Sequence, residues 1–131
     1  MEKKKLLVIG DSIAVPTGFG YVAGMFTKHL IECGLYEVAF CSITGPQIEN
    51  YDKIIAIDDK EIFQKNNITL YHIDYYQNLV PTFKKVIEEF RPQIVLTVHD
   101  PWMLEVLAFT EYTSSFFWVA YTTIETPRYG K

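Results

Sequence analysis

Apolar residues follow two different spacings along the chain. Short apolar runs rich in β-branched residues are typical of strands buried in a sheet, and spacings of three and four residues are typical of amphipathic helices. The runs predict strands at 5–9, 36–43, 94–98 and 116–121. The helical spacing predicts helices at 19–33, 79–90 and 101–110.

The middle of the chain is less regular. Residues 53–57 fit a short strand, and residues 61–67 fit a helical turn without a clear periodicity. Residues 68–73 alternate between apolar and polar side chains, which predicts an edge strand with His72 exposed. These segments connect the second long strand to the second long helix.

Strands that alternate with helices indicate a single α/β domain over residues 1–131. We expect a Rossmann-like, doubly wound and mainly parallel sheet with helices on both faces. In such sheets ligands bind beyond the carboxyl ends of the strands. The loop at 10–20, the turn at 99–102 and the segment after Tyr121 are therefore expected to meet there. His99 is a better functional candidate than His29 or His72, because it follows a buried strand.

Net charge, apolar runs and cysteine spacing exclude several classes of function. The formal net charge is −4, so a nucleic-acid partner is not expected. A membrane span needs about 18 apolar residues in a row, and the sequence has no such run. The charged N-terminus does not resemble a signal peptide, which favours a cytoplasmic protein. Cys33 and Cys41 form no CxxC pair and are interpreted as buried reduced thiols, and no cluster predicts a metal site.

The first loop supports three hypotheses. Gly18, Gly20 and Ala23 match the dinucleotide pattern G-x-G-x-x-G/A, but eight residues separate Ile9 from Gly18. That pattern normally begins at the strand end, and an acidic residue normally closes the second strand. Residues 42–44 are Ser-Ile-Thr instead, which argues against this hypothesis.

The second hypothesis is an esterase. Gly10-Asp11-Ser12-Ile13 resembles the opening block of GDSL/SGNH hydrolases, in which the serine is the nucleophile. An attacking serine needs a base, and no Asp-x-x-His occurs after residue 100. In the alternative interpretation, Asp11 and Ser12 only shape the turn.

The third hypothesis rests on three segments in order. They are Thr17-Gly18-Phe19-Gly20 entering a helix, the run from Arg91 to Met103, and the run from Phe117 to Pro127. Together they resemble the N-terminal domain of GT-B glycosyltransferases, most closely the retaining family-4 type. The last segment has Glu125-Thr126 where that family usually has Asp-Gly, and Tyr121-Thr122 where many members carry a histidine.

The resemblance implies transfer of a sugar from a nucleotide diphosphate sugar to an acceptor, without metal or cofactor. His99 and Glu125 would be catalytic candidates on the acceptor side. The residues implied in substrate or phosphate binding are Thr17, Gly18, Phe19, Gly20, Asp100, Tyr121 and Thr122. Because the C-terminal domain of that family is not in the sequence, the chain would be an incomplete catalytic unit. It would act with a missing domain, a partner chain or a second copy, and a non-catalytic binding module remains an alternative.

Overall fold

A computed structural model describes residues 3–14, 18–54, 61–73, 79–99 and 115–122. Its strands form one five-stranded parallel sheet in the order β3-β2-β1-β4-β5. The strands are β1 (Lys4–Asp11), β2 (Tyr36–Thr44), β3 (Thr69–His72), β4 (Ile94–Val98) and β5 (Phe117–Tyr121). The helices are α1 (Gly18–Glu32), α2 (Glu61–Lys65) and α3 (Leu79–Phe90). The fold is therefore the expected Rossmann-like α/β fold.

The central strand β1 is buried on both faces of the sheet. Leu6 and Val8 pack with α1 on one face, and Leu7 and Ile9 pack with α3 on the other. A parallel strand covered on both sides has no solvated face, so its sequence is continuously apolar rather than alternating. This explains why the run at 5–9 was a reliable strand signal.

Helices cover both faces of the sheet. The α1 side includes Ala23, Ile31 and Phe63, so α1 and α2 share one face. Helix α3 buries one stripe on the opposite face, formed by Phe83, Val86, Ile87 and Phe90. The predicted bounds of α3 are confirmed, and Arg91 ends the helix with a φ of 54° directly before Pro92.

Other predictions need correction. The strand expected at 53–57 is wrong at its start, because Tyr51–Lys53 forms a 3-10 turn; residues 55–57 lie outside the described ranges. The segment at 61–67 begins with the short helix α2. The predicted helix 101–110 also lies outside the described residues. Cys41 is buried as expected, but Cys33 is exposed, so its predicted burial is wrong.

No helix within the described ranges has both the length and the apolar character needed to cross a membrane.

Candidate functional site

The sheet order places a topological switch point between β1 and β4. From β1 the chain moves outward to β2 and β3, and it then crosses back to β4 and β5 on the other side. Connections that leave in opposite directions open a crevice at the carboxyl ends of the two central strands. Asp11 ends β1 at this crevice, and His99 follows the last residue of β4.

Three polar side chains from neighbouring strands meet at the switch point. The Nε2 atom of His99 lies 2.9 Å from Asp11 Oδ1 and 3.1 Å from Thr44 Oγ1. The Thr44 hydroxyl also donates a hydrogen bond to Asp11 Oδ1. When the Asp11 carboxylate is ionised it can only accept hydrogen bonds, and this contact then requires a proton on His99 Nε2. We call Asp11, Thr44 and His99 the switch-point cluster.

A β-bulge brings Thr44 opposite Asp11. Gly10 pairs with Ser42, but the next residue of β1, Asp11, pairs with Thr44 because the register shifts there. The amide of Ser12 then donates to the Thr44 carbonyl oxygen at 2.8 Å. Bulges commonly redirect side chains at strand ends. The local irregularity therefore aligns the carboxylate and the hydroxyl with His99.

The cluster is largely removed from water. The His99 side chain is 5% exposed and that of Asp11 is 18% exposed. The Phe19 ring stacks on the imidazole with 5.3 Å between ring centroids and an angle of 25° between ring planes. The His99 amide donates to the Tyr121 carbonyl oxygen, which fixes the backbone of this residue against β5.

Gly10 allows helix α1 to approach the central strands. A Cβ atom at this position would lie 3.0 Å from the Ala23 Cβ and 3.1 Å from the Val98 carbonyl oxygen. Both distances are tighter than most real contacts, so a side chain here would require its neighbours to shift by a few tenths of an ångström. Gly10 therefore sets how closely the N-terminal half of α1 lies beside the switch-point cluster.

Gly18 begins α1 under different constraints. A Cβ atom at Gly18 would meet no described atom within 4 Å. The first turn of α1 contains no acidic residue. The first N–H groups of a helix have no partner within the helix and carry partial positive charge, so they favour negatively charged groups.

Ser12 has a structural role. It is fully buried, and its Oγ accepts a hydrogen bond from the Ala14 amide at 3.2 Å. The Cβ position of Gly45 lies only 3.0 Å from the Ser12 Cβ, so the β2 turn covers this side chain. The hydroxyl thus shapes the turn after β1, as the alternative interpretation of this residue held.

A second histidine pair lies one strand further out. Ser42 Oγ is 2.6 Å from His72 Nδ1, and these residues are also paired in the β2–β3 register. Ser42 is fully buried and His72 is half-buried, so the predicted exposure of His72 is wrong. The alternation that predicted an edge strand gave no sign of this hydrogen bond.

The structure brings some of the sequence-predicted residues together and not others. His99 and Phe19 are in contact at the switch point. Gly18 is exposed and Gly20 is buried in the first turn of α1, and Thr122 follows β5 at its carboxyl end. The Tyr121 ring packs edge-on against Phe26 rather than His99. The predicted residues outside the described ranges are Thr17, Asp100 and Glu125.

Asp11 and Thr44 were missed as site residues by sequence reasoning. Both stand where a buried strand ends, which is the signal that selected His99. Considering every strand end together would have made both residues candidates, although the register shift that brings them together has no signal in the sequence.

Of three comparisons with known proteins, only the one with solved structures found a match. No family model matches the chain, and no curated protein matches it in sequence. A solved protein from the universal stress protein family of Burkholderia pseudomallei is similar in structure, with a TM-score of 0.52. The two chains share 8% identity over 92% of this chain and 96% of the other. The likeness is one of fold.

This finding corrects the functional expectation. The similar structure is a universal stress protein family member, matched over nearly its whole length, and not the N-terminal half of a GT-B enzyme. The assignment to a family-4-like glycosyltransferase is wrong, together with its enzymatic activity and its nucleotide-sugar substrate. The three sequence segments match features shared by many βα units, because glycine-bearing loops and apolar strands recur throughout Rossmann-like folds.

The esterase hypothesis is also wrong. The Ser12 hydroxyl is buried and accepts the Ala14 amide, whereas an attacking serine must reach both a base and a substrate. His99 is hydrogen-bonded through Nε2 to Asp11 and Thr44.

Proposed function

We propose that this domain binds a small phosphate-bearing molecule at the switch point between β1 and β4. The observation that carries the proposal is the switch-point cluster, which lies beside the N-terminal turn of α1. Asp11, Thr44 and His99 come from three adjacent strands and meet at the edge where α/β sheets bind ligands.

The cluster is not explained by packing alone. Transferring a carboxylate and an imidazole out of water carries a desolvation penalty, which their mutual hydrogen bonds only partly offset. Apolar residues of similar volume would fill the same space without that penalty.

The phosphate group is assigned to the first turn of α1. The N-terminal end of a helix favours an anion, and an anion can approach the exposed Gly18 closely because no Cβ intervenes. Phe19 extends from the same turn to the His99 ring, so the anion site and the switch-point cluster are neighbours. The polar part of the ligand would then face Asp11 and His99.

Calorimetry and amide NMR with ADP, UDP and inorganic pyrophosphate test the proposal. We expect saturable binding of at least one probe, with the largest amide shifts at Gly18–Gly20 and at His99. Gly18→Ala should weaken binding about tenfold by blocking the amides, without lowering the melting temperature. His99→Gln should also weaken binding, whereas the matched change His72→Gln should leave it unchanged.

Two outcomes would overturn the proposal. One is the absence of saturable binding for all three probes at millimolar concentration. The other is binding that His72→Gln weakens as much as His99→Gln, because the ligand would then not depend on the switch point.

A further inference from the structure

A groove of about 440 Å³ lies at the opposite end of the sheet, beneath the amino ends of β1, β2 and β3. Four of the residues that line it are apolar and at most 8% exposed: Ile31, Val38, Ile68 and Phe90. These residues come from both faces of the sheet, so the groove passes under the strand ends. Its size is within the range of small-molecule sites.

We propose that this groove binds a small acid with an aromatic or branched apolar body. Lys3 and Lys5 line it and carry two positive charges, against the single carboxylate of Glu37. The groove is thus locally positive, whereas the whole chain has a net charge of −4. The C-terminal ends of α1 and α3 lie at this edge, and helix C-termini repel anions. The lysines would therefore supply the attraction for the acid group.

The position of Lys5 is well defined. Its amide donates to Gln93 Oε1 at 3.1 Å, and its carbonyl oxygen accepts from the Gln93 amide at 2.9 Å. Its ammonium group lies 5.4 Å from the centroid of the Phe90 ring. A cation over an aromatic face is attracted by the electrons of the ring. Phe90 therefore helps to hold the ammonium group of Lys5 at the groove.

The opposite wall is a hydrogen-bonded turn. After α2 the Asn67 amide donates to the Gln64 carbonyl oxygen, and the Ile68 amide donates to that of Phe63, both at 3.1 Å. Asn66 Nδ2 donates to the Ile62 carbonyl oxygen at 2.8 Å. A wall held by these bonds keeps its shape when a ligand enters, which lowers the entropy lost on binding.

Benzoate is the probe, and benzamide is its uncharged counterpart. We expect saturable binding of benzoate, with amide shifts at Glu37, Val38 and Ile68, and much weaker binding of benzamide. Lys3→Gln combined with Lys5→Gln should weaken benzoate binding about tenfold, as for the loss of a charge-assisted contact. Lys4→Gln is the matched control and should have no effect, because Lys4 does not line the groove.

Glu37→Gln provides a test of opposite sign. Removing the carboxylate should tighten benzoate binding several-fold, because Glu37 repels an anion in the groove. Circular dichroism of each variant checks that the fold is retained. Gly18→Ala should leave benzoate binding unchanged, which separates this groove from the switch-point site.

Three results would overturn the proposal: equal binding of benzoate and benzamide, an equal loss in Lys4→Gln, or weaker binding in Glu37→Gln. The first would indicate an apolar site without charge recognition. The second would indicate general attraction to the basic N-terminal strand. The third would show that Glu37 supports the groove rather than opposing the anion.

Discussion

Two histidines end strands of the same sheet, and each is hydrogen-bonded to a hydroxyl group of β2. His72 pairs with Ser42 on the outer side of β2, whereas His99 pairs with Thr44 on the inner side. His99 also contacts a carboxylate, Asp11, and carries a stacked aromatic ring. Among the residues that the structure describes, His72 is hydrogen-bonded to Ser42 and to no carboxylate.

The difference shows what a switch point contributes. A hydroxyl–imidazole pair can form wherever two strands place those side chains in register, as at the edge strand β3. A third, charged member is added only where the central strands end together. Helix α1 supplies an aromatic ring and the positive end of its dipole at that place. This difference supports the proposal that the outer pair is scaffolding and that the inner cluster binds the ligand.

The largest expected effect is that of Gly10→Ala. The added methyl group would meet Ala23 and the Val98 backbone at about 3 Å, which should destabilise the fold by roughly 3 kcal/mol through overpacking. Urea unfolding measures the loss. Imidazole NMR signals should move for His99 and stay in place for His72. Equal movement of both would mean that α1 does not specifically support the inner cluster.

Next in size is His99→Ala compared with His72→Ala. Without His99, Asp11 and Thr44 each lose a hydrogen-bond partner at a largely buried position. We expect this loss to destabilise the fold by about 2 kcal/mol. His72 is half-buried, so water can replace its contact with Ser42, and we expect about 0.5 kcal/mol. Thermal unfolding of both variants provides the measurement. A larger loss for His72→Ala would reverse the assigned roles.

A smaller difference should separate the two hydroxyl groups. Thr44→Val keeps the side-chain volume but removes a hydroxyl that contacts both Asp11 and His99, which should destabilise by about 1.5 kcal/mol. Ser42→Ala should destabilise by about 0.5 kcal/mol, because its main partner His72 is half-buried. Chemical denaturation of each variant measures both values. Equal losses of stability would mean that the Thr44 and Ser42 hydroxyl groups contribute alike, against the distinction between the inner cluster and the outer pair.

The smallest stability effect is expected for Gly18→Ala. Alanine favours the helix over glycine, so the melting temperature should stay constant or rise, with a gain of about 0.5 kcal/mol or less at this terminal position. Calorimetric melting is the measurement. A clear loss of stability would show that Gly18 is needed for the fold itself and would remove its value as a probe of the ligand site.

The fold was predictable because its signals are local. Continuous apolar runs identified β1 and β4, and the spacing of Phe83, Ile87 and Phe90 identified α3 with its observed bounds. The strand predicted at 53–57 begins inside the 3-10 turn Tyr51–Lys53, because the short apolar run at 54–57 does not by itself identify a strand.

The candidate site was only partly predictable. His99 stood out at the end of an apolar strand, but the bulge that places Thr44 opposite Asp11 depends on pairing between distant segments. Such register shifts are set by the assembled sheet and leave no spacing signal in one strand. Function was mispredicted for a related reason: glycine-bearing turns describe a βα unit, and many unrelated activities use that unit.

The hydrogen bond from Trp118 Nε1 to Thr97 Oγ1, at 2.8 Å, has a practical meaning for following motion in solution. It joins the edge strand β5 to β4 two residues before His99. Indole emission is sensitive to this bond and to hydration, so Trp118 reports whether β5 stays attached once Trp102, the other tryptophan, is replaced by Phe. Detachment of β5 would also release the carbonyl oxygen of Tyr121 from the His99 amide. A shift in the Trp118 emission would therefore report that the switch-point cluster has loosened.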